Sequence, residues 1–251
     1  MLSLFKKKVP IRDLLSGSID IHNHILPGID DGAANVEDSV ALIKKYRELG
    51  ITHFIATPHV MNDYYPNTRK NIKSAFDALQ KKLSAEGLNE TMLRYAAEYM
   101  MDQPFLDNLK KEKLLPLFKN YVLVEMSYFQ PPINLNEILF ELQTKNYKPV
   151  LAHPERYGFY HSRNLKKYED LKTRGCHFQL NILSLIGHYG KGIQEIAFRL
   201  LDKDMIDFVG TDTHQMRHLE KLSEAKIPKS RMEQLKPIFK KTNETFRLYS
   251  S

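Results

Sequence analysis

Apolar residues along the 251-residue chain fall into short runs separated by stretches with helical spacing. Residues 19–22 read as a first strand. Residues 36–49 then carry Val36, Val40, Leu42, Ile43 and Tyr46 at the three- and four-residue spacing of one helix face. Asn35 is the expected N-cap, and Gly50 closes the helix. The alternation continues. Residues 52–57 predict a strand, 68–86 a lysine-rich helix, and 92–98 a third strand. A short helix at 104–111 leads to a fourth strand at 121–125. A helix at 134–145 follows, then a fifth strand at 149–152. Residues 165–174 are helical, 177–181 form the sixth strand, 192–203 are helical, and 206–210 form the seventh strand. The remainder predicts a loop around Ile227 and Pro228 and a helix near 231–243.

Strand and helix alternating seven times imply a parallel sheet covered by helices. No linker, repeat or low-complexity segment divides the chain. The expected class is therefore α/β, a distorted seven-stranded (β/α)7 TIM-like barrel, with 1–251 as a single domain. Residues 1–17 would be a lead-in and 215–251 a helical tail. An open doubly wound sheet is the alternative. No strand is followed by Gly-x-Gly-x-x-Gly, which weakens a dinucleotide-binding version of it.

Composition narrows the function only slightly. Hydrophobic residues make up 42% and charged residues 27%, ordinary for a globular protein. A single cysteine, Cys176, excludes an internal disulfide and suits a reducing, cytoplasmic location. The opening Met-Leu-Ser-Leu-Phe-Lys-Lys-Lys lacks the apolar stretch of a signal peptide, and no segment predicts membrane insertion. The net charge of +7 could steer an anionic substrate. Its lysines, however, are spread over most helices, without the compact basic and aromatic pattern of a nucleic-acid site.

The chemistry is concentrated at the strand ends. His22 and His24 with Asp31 follow the first strand. His59, Glu98, Glu125 and His153 follow or end the next four in that order, and Asp212 with His214 follows the seventh. In parallel barrels these ends converge on one face. Alone, His22-x-His24 could be two polar residues near a strand end; the later run argues for a shared site. Nitrogen and carboxylate donors without thiolates suit manganese, iron or zinc. Nine side chains are too many for one ion, so two or three ions sharing carboxylates are expected, as in phosphate ester hydrolysis. Arg156 and Arg217, each three residues past a candidate ligand, could bind phosphate oxygens in a fork, with a surface ion pair as the competing use.

Asp20-Ile-His-Asn-His24, Asp30-Asp-Gly32, Thr57-Pro-His59, Glu98, Glu125, His153-Pro-Glu-Arg156 and Thr211-Asp-Thr-His214 together resemble the polymerase and histidinol phosphatase (PHP) superfamily. The His-x-His-x5-Asp-Asp-Gly opening and the His-Pro-Glu-Arg segment are more narrowly similar to its bacterial tyrosine-phosphatase branch, the capsule and exopolysaccharide regulators. The resemblance spans about Ser18 to His214. It implies three divalent metal ions, manganese first, with iron, cobalt or zinc as alternatives. One ion would take His22, His24, Glu98 and Asp212. A second would take Asp31, His59 and His214, and a third Glu98, Glu125 and His153. It also implies attack by a metal-bridged hydroxide on phosphotyrosine, in the tail of a bacterial tyrosine kinase controlling polysaccharide export.

Alternatives are a small-molecule phosphatase of the histidinol-phosphate type and a non-catalytic metal-binding module. An oligomer is compatible with either enzyme reading. A cysteine-phosphatase mechanism is disfavoured, because Ile182 stands six residues after Cys176 where an arginine is needed. Tyr64, Tyr65, Tyr128, Phe129 and Tyr157 are candidates for an aromatic rim or for loop packing. Asp30 has no ligand role and is expected to orient a ligand or cap the turn. His161, His188 and His218 are expected to be structural.

Overall fold

The structure is a computed structural model that describes residues 7–111, 113–162 and 164–247. The basic opening at Met1 to Lys6 therefore lies outside the described residues. Short β1 (Lys8–Pro10) and α1 (Arg12–Leu15) precede the barrel. The elements then run β2 (Ile19–Asp20), α2 (Val36–Glu48), β3 (His53–Ala56), β4 (His59–Val60), α3 (Arg69–Ala85), β5 (Met92–Tyr95), β6 (Glu98–Met100) and α4 (Gln103–Lys111). They continue with β7 (Tyr121–Glu125), α5 (Leu135–Thr144), β8 (Lys148–Ala152), α6 (Lys166–Thr173), β9 (His177–Asn181), α7 (Ile182–Leu185), α8 (Lys191–Asp202) and β10 (Phe208–Gly210). The chain ends with α9 (Met216–Glu224), β11 (Lys226–Pro228) and α10 (Lys229–Phe246).

The strands close into a ring. β2 pairs with β3 and β3 with β5, while β4 pairs with β6, all in parallel. From β6 the parallel order runs through β7, β8 and β9 to β10. The ring shuts where the Asp212 N–H donates to the His22 carbonyl at 2.7 Å and the His24 N–H donates to the Thr213 carbonyl at 2.9 Å. The expected seven strands are thus present, and the distortion has a visible cause. The second strand breaks at Thr57-Pro58, because proline lacks the N–H the ladder needs. It resumes at β4, in register with β6 across a matching break at Ala96-Ala97.

Sequence signals for the outer helices hold locally. The Asn35 side chain accepts the Asp38 N–H at the start of α2, and Thr68 and Asn71 form a capping box on α3. The barrel interior is a small apolar cluster including Ile19, Ile21, Ile55, Leu123, Val150 and Phe208. Phe246 at the end of α10 plugs its base, with its ring 4.8 Å from that of Phe208. Apolar packing fills the base and leaves the polar side chains to the opposite, C-terminal end.

One expectation fails for a physical reason, and one short element carried none. Ile227 and Pro228 lie in β11, which pairs antiparallel with β1 across nearly the whole chain, and such a short non-local ribbon has no local periodicity to read. The four-residue α7 is likewise too short for a helical pattern. Below the barrel, Asp207 accepts from Lys172, from Lys241 and from the Phe178 N–H, with the His177 ring 3.6 Å away, and His177 together with these donors holds its carboxyl well below the usual range despite burial. We expect Asp207→Asn to cost about 2–3 kcal/mol in urea unfolding near pH 7. Because the folded pKa is depressed, that difference should be full above about pH 4 and should shrink as pH falls below it. A pH-independent difference would remove the ionic explanation.

Candidate metal centre and active site

Each strand end delivers a side chain to one mouth of the barrel, and the backbone there is specialised. His153 and Asp212 both adopt positive φ, 35° and 52°. Non-glycine residues rarely do so, and strain of this kind clusters at functional sites. The turn after β8 tightens into a 3₁₀ segment at Pro154–Arg156, which lifts Arg156 toward the mouth. Gly210 ends β10, where an added Cβ would lie 2.7 Å from His22 Cβ, so only glycine lets the seventh strand approach the first this closely.

Four of the ligand-type atoms form a compact cage. His22 Nε2 lies 3.1 Å from Glu98 Oε2 and 3.3 Å from Asp212 Oδ1, while His24 Nε2 lies 3.4 Å from each of these oxygens. The two Nε2 atoms are 3.4 Å apart. A tetrahedron with such edges has its centre about 2 Å from every corner, the bond length of a first-row divalent ion to nitrogen or oxygen.

Outer hydrogen bonds fix both imidazoles. His22 Nδ1 donates to Gln179 Oε1 at 2.7 Å, and His24 Nδ1 to Asp30 Oδ2 at 2.8 Å. Each leaves its Nε2 toward the cage, the arrangement found around metal-binding histidines. Asp30 thus orients His24, and it also accepts the Gly32 and His59 N–H groups.

The constellation continues outward. His24, Asp31, His59 and His214 form a second close group, and His59, Glu98 and Glu125 a third. His153 Nε2 faces the other Glu98 oxygen, Oε1, at 3.2 Å. All nine expected side chains therefore meet in one continuous centre. The grouping is more shared than expected: His24 borders the second group, and His59 Nδ1 lies 2.8 Å from Glu125 Oε1.

The fit to metal ions rests on atoms left without partners. Both oxygens of the fully buried Glu98 lack an aligned hydrogen bond, as do Glu125 Oε1 and His59 Nδ1. Buried carboxylate oxygens are rarely orphaned, and here they lie within the close groups just described, as ligands of ions would. Electrostatics agrees. Against the opposing effect of burial, His22 and His59 hold Glu98 well below the ordinary range, and His22 and His214 do the same for Asp212. Burial works against a charged His59, yet Glu125 and Glu98 raise it to about 9. Protons on the histidines balance charge that cations would otherwise balance.

Asp212 is fixed from behind. Its Oδ2 accepts from Arg156 at 2.6 Å and from Asn181 Nδ2 at 2.9 Å. Beneath it, buried Asp20 accepts the Thr211 N–H at 3.0 Å and the Tyr46 hydroxyl at 2.7 Å, tying the first and last strands together. Asn181 and Gln179 carry no expectation from sequence, and Asp20 enters it only as the first residue of a motif, without a role. They act through hydrogen bonds to other side chains, which strand-end position does not reveal.

Arg156 lines an open cavity of about 1010 Å³ above the centre. Arg217 does not. It is exposed because α9 buries His218, Leu219 and Leu222, which turns the intervening position outward. Tyr64, Tyr65, Tyr128 and Phe129 line the cavity, and Phe129 is 93% exposed. Tyr157 is instead fully buried, with its hydroxyl accepting the Met126 N–H. His218 accepts the His214 N–H, and burial with His188 and His214 nearby brings its pKa down to about 4. Among the described residues no helix is long and apolar enough to cross a membrane.

Comparison with known proteins agrees with this architecture. Tyrosine-protein phosphatase YwqE of Bacillus subtilis is 34% identical over 200 residues, covering 79% of this chain and 78% of that protein. Tyrosine-protein phosphatase CpsB of Streptococcus pneumoniae is 26% identical over 204 residues, 79% of this chain and 83% of that protein. A crystal structure from work on these two proteins, described as unique metal-dependent tyrosine phosphatases, superposes with a TM-score of 0.72. It has 30% identity and covers 89% of this chain and 94% of that one. The lactonase Lmo2620 of Listeria monocytogenes shares the fold at 12% identity, with a TM-score of 0.57 and 97% of each chain covered. The family described as "Capsular polysaccharide synthesis, CpsB/CapC" matches residues 18–249, and this chain belongs to it.

Proposed function

We propose that this protein is a metal-dependent protein-tyrosine phosphatase serving capsular or exopolysaccharide synthesis. Its substrate would be the phosphorylated tail of a bacterial tyrosine kinase, met in the cytoplasm. The observation that carries the proposal is the buried Glu98 carboxylate, unpartnered at both oxygens and ringed by imidazoles from three other strand ends. Three divalent ions fit the donor set, with manganese first and iron, cobalt or zinc as alternatives. His22, His24, Glu98 and Asp212 would hold one, and Asp31, His59 and His214 a second. Glu98, Glu125 and His153 would hold the third, since His153 is the imidazole left over once His59 serves the second group.

Ions held there would supply a water of lowered pKa and offset the charge of a phosphate dianion. The chain's own groups do the rest. Gln179 and Asp30 keep the His22 and His24 lone pairs directed inward. Arg156, bonded to Asp212 through one nitrogen, presents the rest of its fork to phosphate oxygens at the cavity wall. Tyr64, Tyr65, Tyr128 and Phe129 offer faces to a phenol ring, and the open cavity admits a peptide.

A reconstitution assay tests the proposal, comparing a phosphotyrosine peptide with histidinol phosphate across Mn²⁺, Fe²⁺, Co²⁺ and Zn²⁺. Metal-dependent turnover of the peptide is the expected result. Preference for histidinol phosphate would move the function to a small-molecule phosphatase, and inactivity on both would leave a non-catalytic module. Cys176 is buried, and burial pushes its thiol up to about 12, so it cannot supply a thiolate near neutral pH. Cys176→Ser should accordingly retain turnover within about threefold; loss of activity with fold and metal content intact would revive a cysteine nucleophile.

A further inference from the structure

Arg156 packs against two aromatic rings. Its guanidinium carbon lies 4.8 Å from the centre of the Tyr128 ring and 4.1 Å from that of Tyr189. The two rings are not equivalent. Tyr128 sits in an exposed loop at the cavity mouth. Tyr189 is anchored: its hydroxyl accepts from Asn181 Nδ2 at 3.1 Å, and the same nitrogen donates to Asp212 Oδ2 at 2.9 Å. That oxygen also accepts from Arg156. Tyr189, Asn181, Asp212 and Arg156 thus close a ring of contacts in which every member fixes the next.

The local chain is built to hold this ring. β9 passes directly into α7, and the Asn181 N–H and the Ser184 hydroxyl both donate to buried Glu155, the residue next to Arg156. The Asn181 side-chain oxygen accepts the Leu183 N–H, leaving its Nδ2 for Asp212 and Tyr189. The His188 ring packs 4.9 Å from His218, which pins the segment preceding Tyr189 against α9.

Resting on the phosphatase reading above, we propose that Tyr189 is a positioning residue for phosphate binding. Its ring holds the Arg156 guanidinium plane so that the edge not bonded to Asp212 meets the phosphate. An arginine side chain has many rotamers, and a flat cation packed on an anchored ring has few. Removing the ring should loosen the fork without touching any metal ligand.

The test is calorimetric titration of the metal-loaded full chain with inorganic phosphate, with metal content and melting temperature measured alongside. Tyr189→Leu should weaken phosphate binding about tenfold at unchanged metal content. Tyr189→Phe, which keeps the ring and loses only the hydroxyl, should stay within about threefold of wild type. In an Arg156→Lys background, Tyr189→Leu should add less than about twofold, because the two residues act as a unit.

A second readout needs no ligand. The Arg156 Nε–H resonance, assigned by its loss in Arg156→Lys, should carry a ring-current shift from Tyr189 beyond that of Tyr128, and Phe should keep this part while Leu removes it. Wild-type phosphate affinity in Tyr189→Leu, a Phe variant as weak as Leu, or full additivity with Arg156→Lys would each overturn the proposal. Failure of the wild-type enzyme to hydrolyse phosphotyrosine peptide would instead remove the phosphatase reading, while the titration and the resonance still report on Tyr189.

Discussion

Asp212→Asn should lower turnover of a phosphotyrosine peptide by at least about a thousandfold and leave the barrel folded. The fold survives because asparagine tolerates the positive φ of 52° found there and matches the shape of aspartate. The chemistry does not survive, because the carboxylate faces two ways. Oδ1 looks toward His22 and His24, and Oδ2 accepts from Arg156 and Asn181. An amide can satisfy only one side. If its oxygen stays on Arg156 and Asn181, its NH₂ group turns toward the cage and cannot bind an ion. If it flips, two donors face a third. Melting temperature, metal content and kcat/KM measured together separate these effects from unfolding. Near-normal turnover with full metal content would sink the site assignment.

Glu98→Gln should act on metal occupancy itself. Among the described residues Glu98 is the one side chain whose two oxygens reach imidazoles of different groups, Oε2 toward His22, His24 and His59, and Oε1 toward His153. Replacing it would remove the charge that two ions held there would share. Bound metal should fall from about three to about one per chain, and activity should fall by roughly four orders of magnitude. The metal-free variant should stay folded, since Glu98 has no aligned hydrogen bond to lose. Elemental analysis after dialysis decides the matter. Full metal content in this variant would show that Glu98 does not bridge.

The parts of this design legible in sequence are those written once per strand. An apolar run followed by His, Asp or Glu repeats along the chain, and a parallel barrel turns that repetition into proximity. Thus the seven strands and the nine converging side chains could be anticipated from position alone. How those side chains divide could not, because His59 offers nitrogens toward both Asp31 and Glu125, a matter of ring orientation. The same limit hid Asn181 and Tyr189, which work through other side chains. Arg217 misled for a local reason: three residues past His214 looked equivalent to three past His153. The first spacing runs into a helix that turns the side chain to solvent, the second into a 3₁₀ turn that lifts it to the mouth.

The seam that closes the barrel has a consequence for how the molecule is made. Thr211 and Asp20, joined there by hydrogen bonds, are 191 residues apart. Closing so long a loop is among the most entropically demanding contacts in the chain, and it is rewarded only after the intervening strands have paired. The cage that uses His22 and Asp212 straddles that seam. A nascent chain that has not yet made the seventh strand would therefore lack Asp212 and His214, and with them one corner of the cage. Activity is expected as a late event of synthesis, after the first and last strands of the barrel have met.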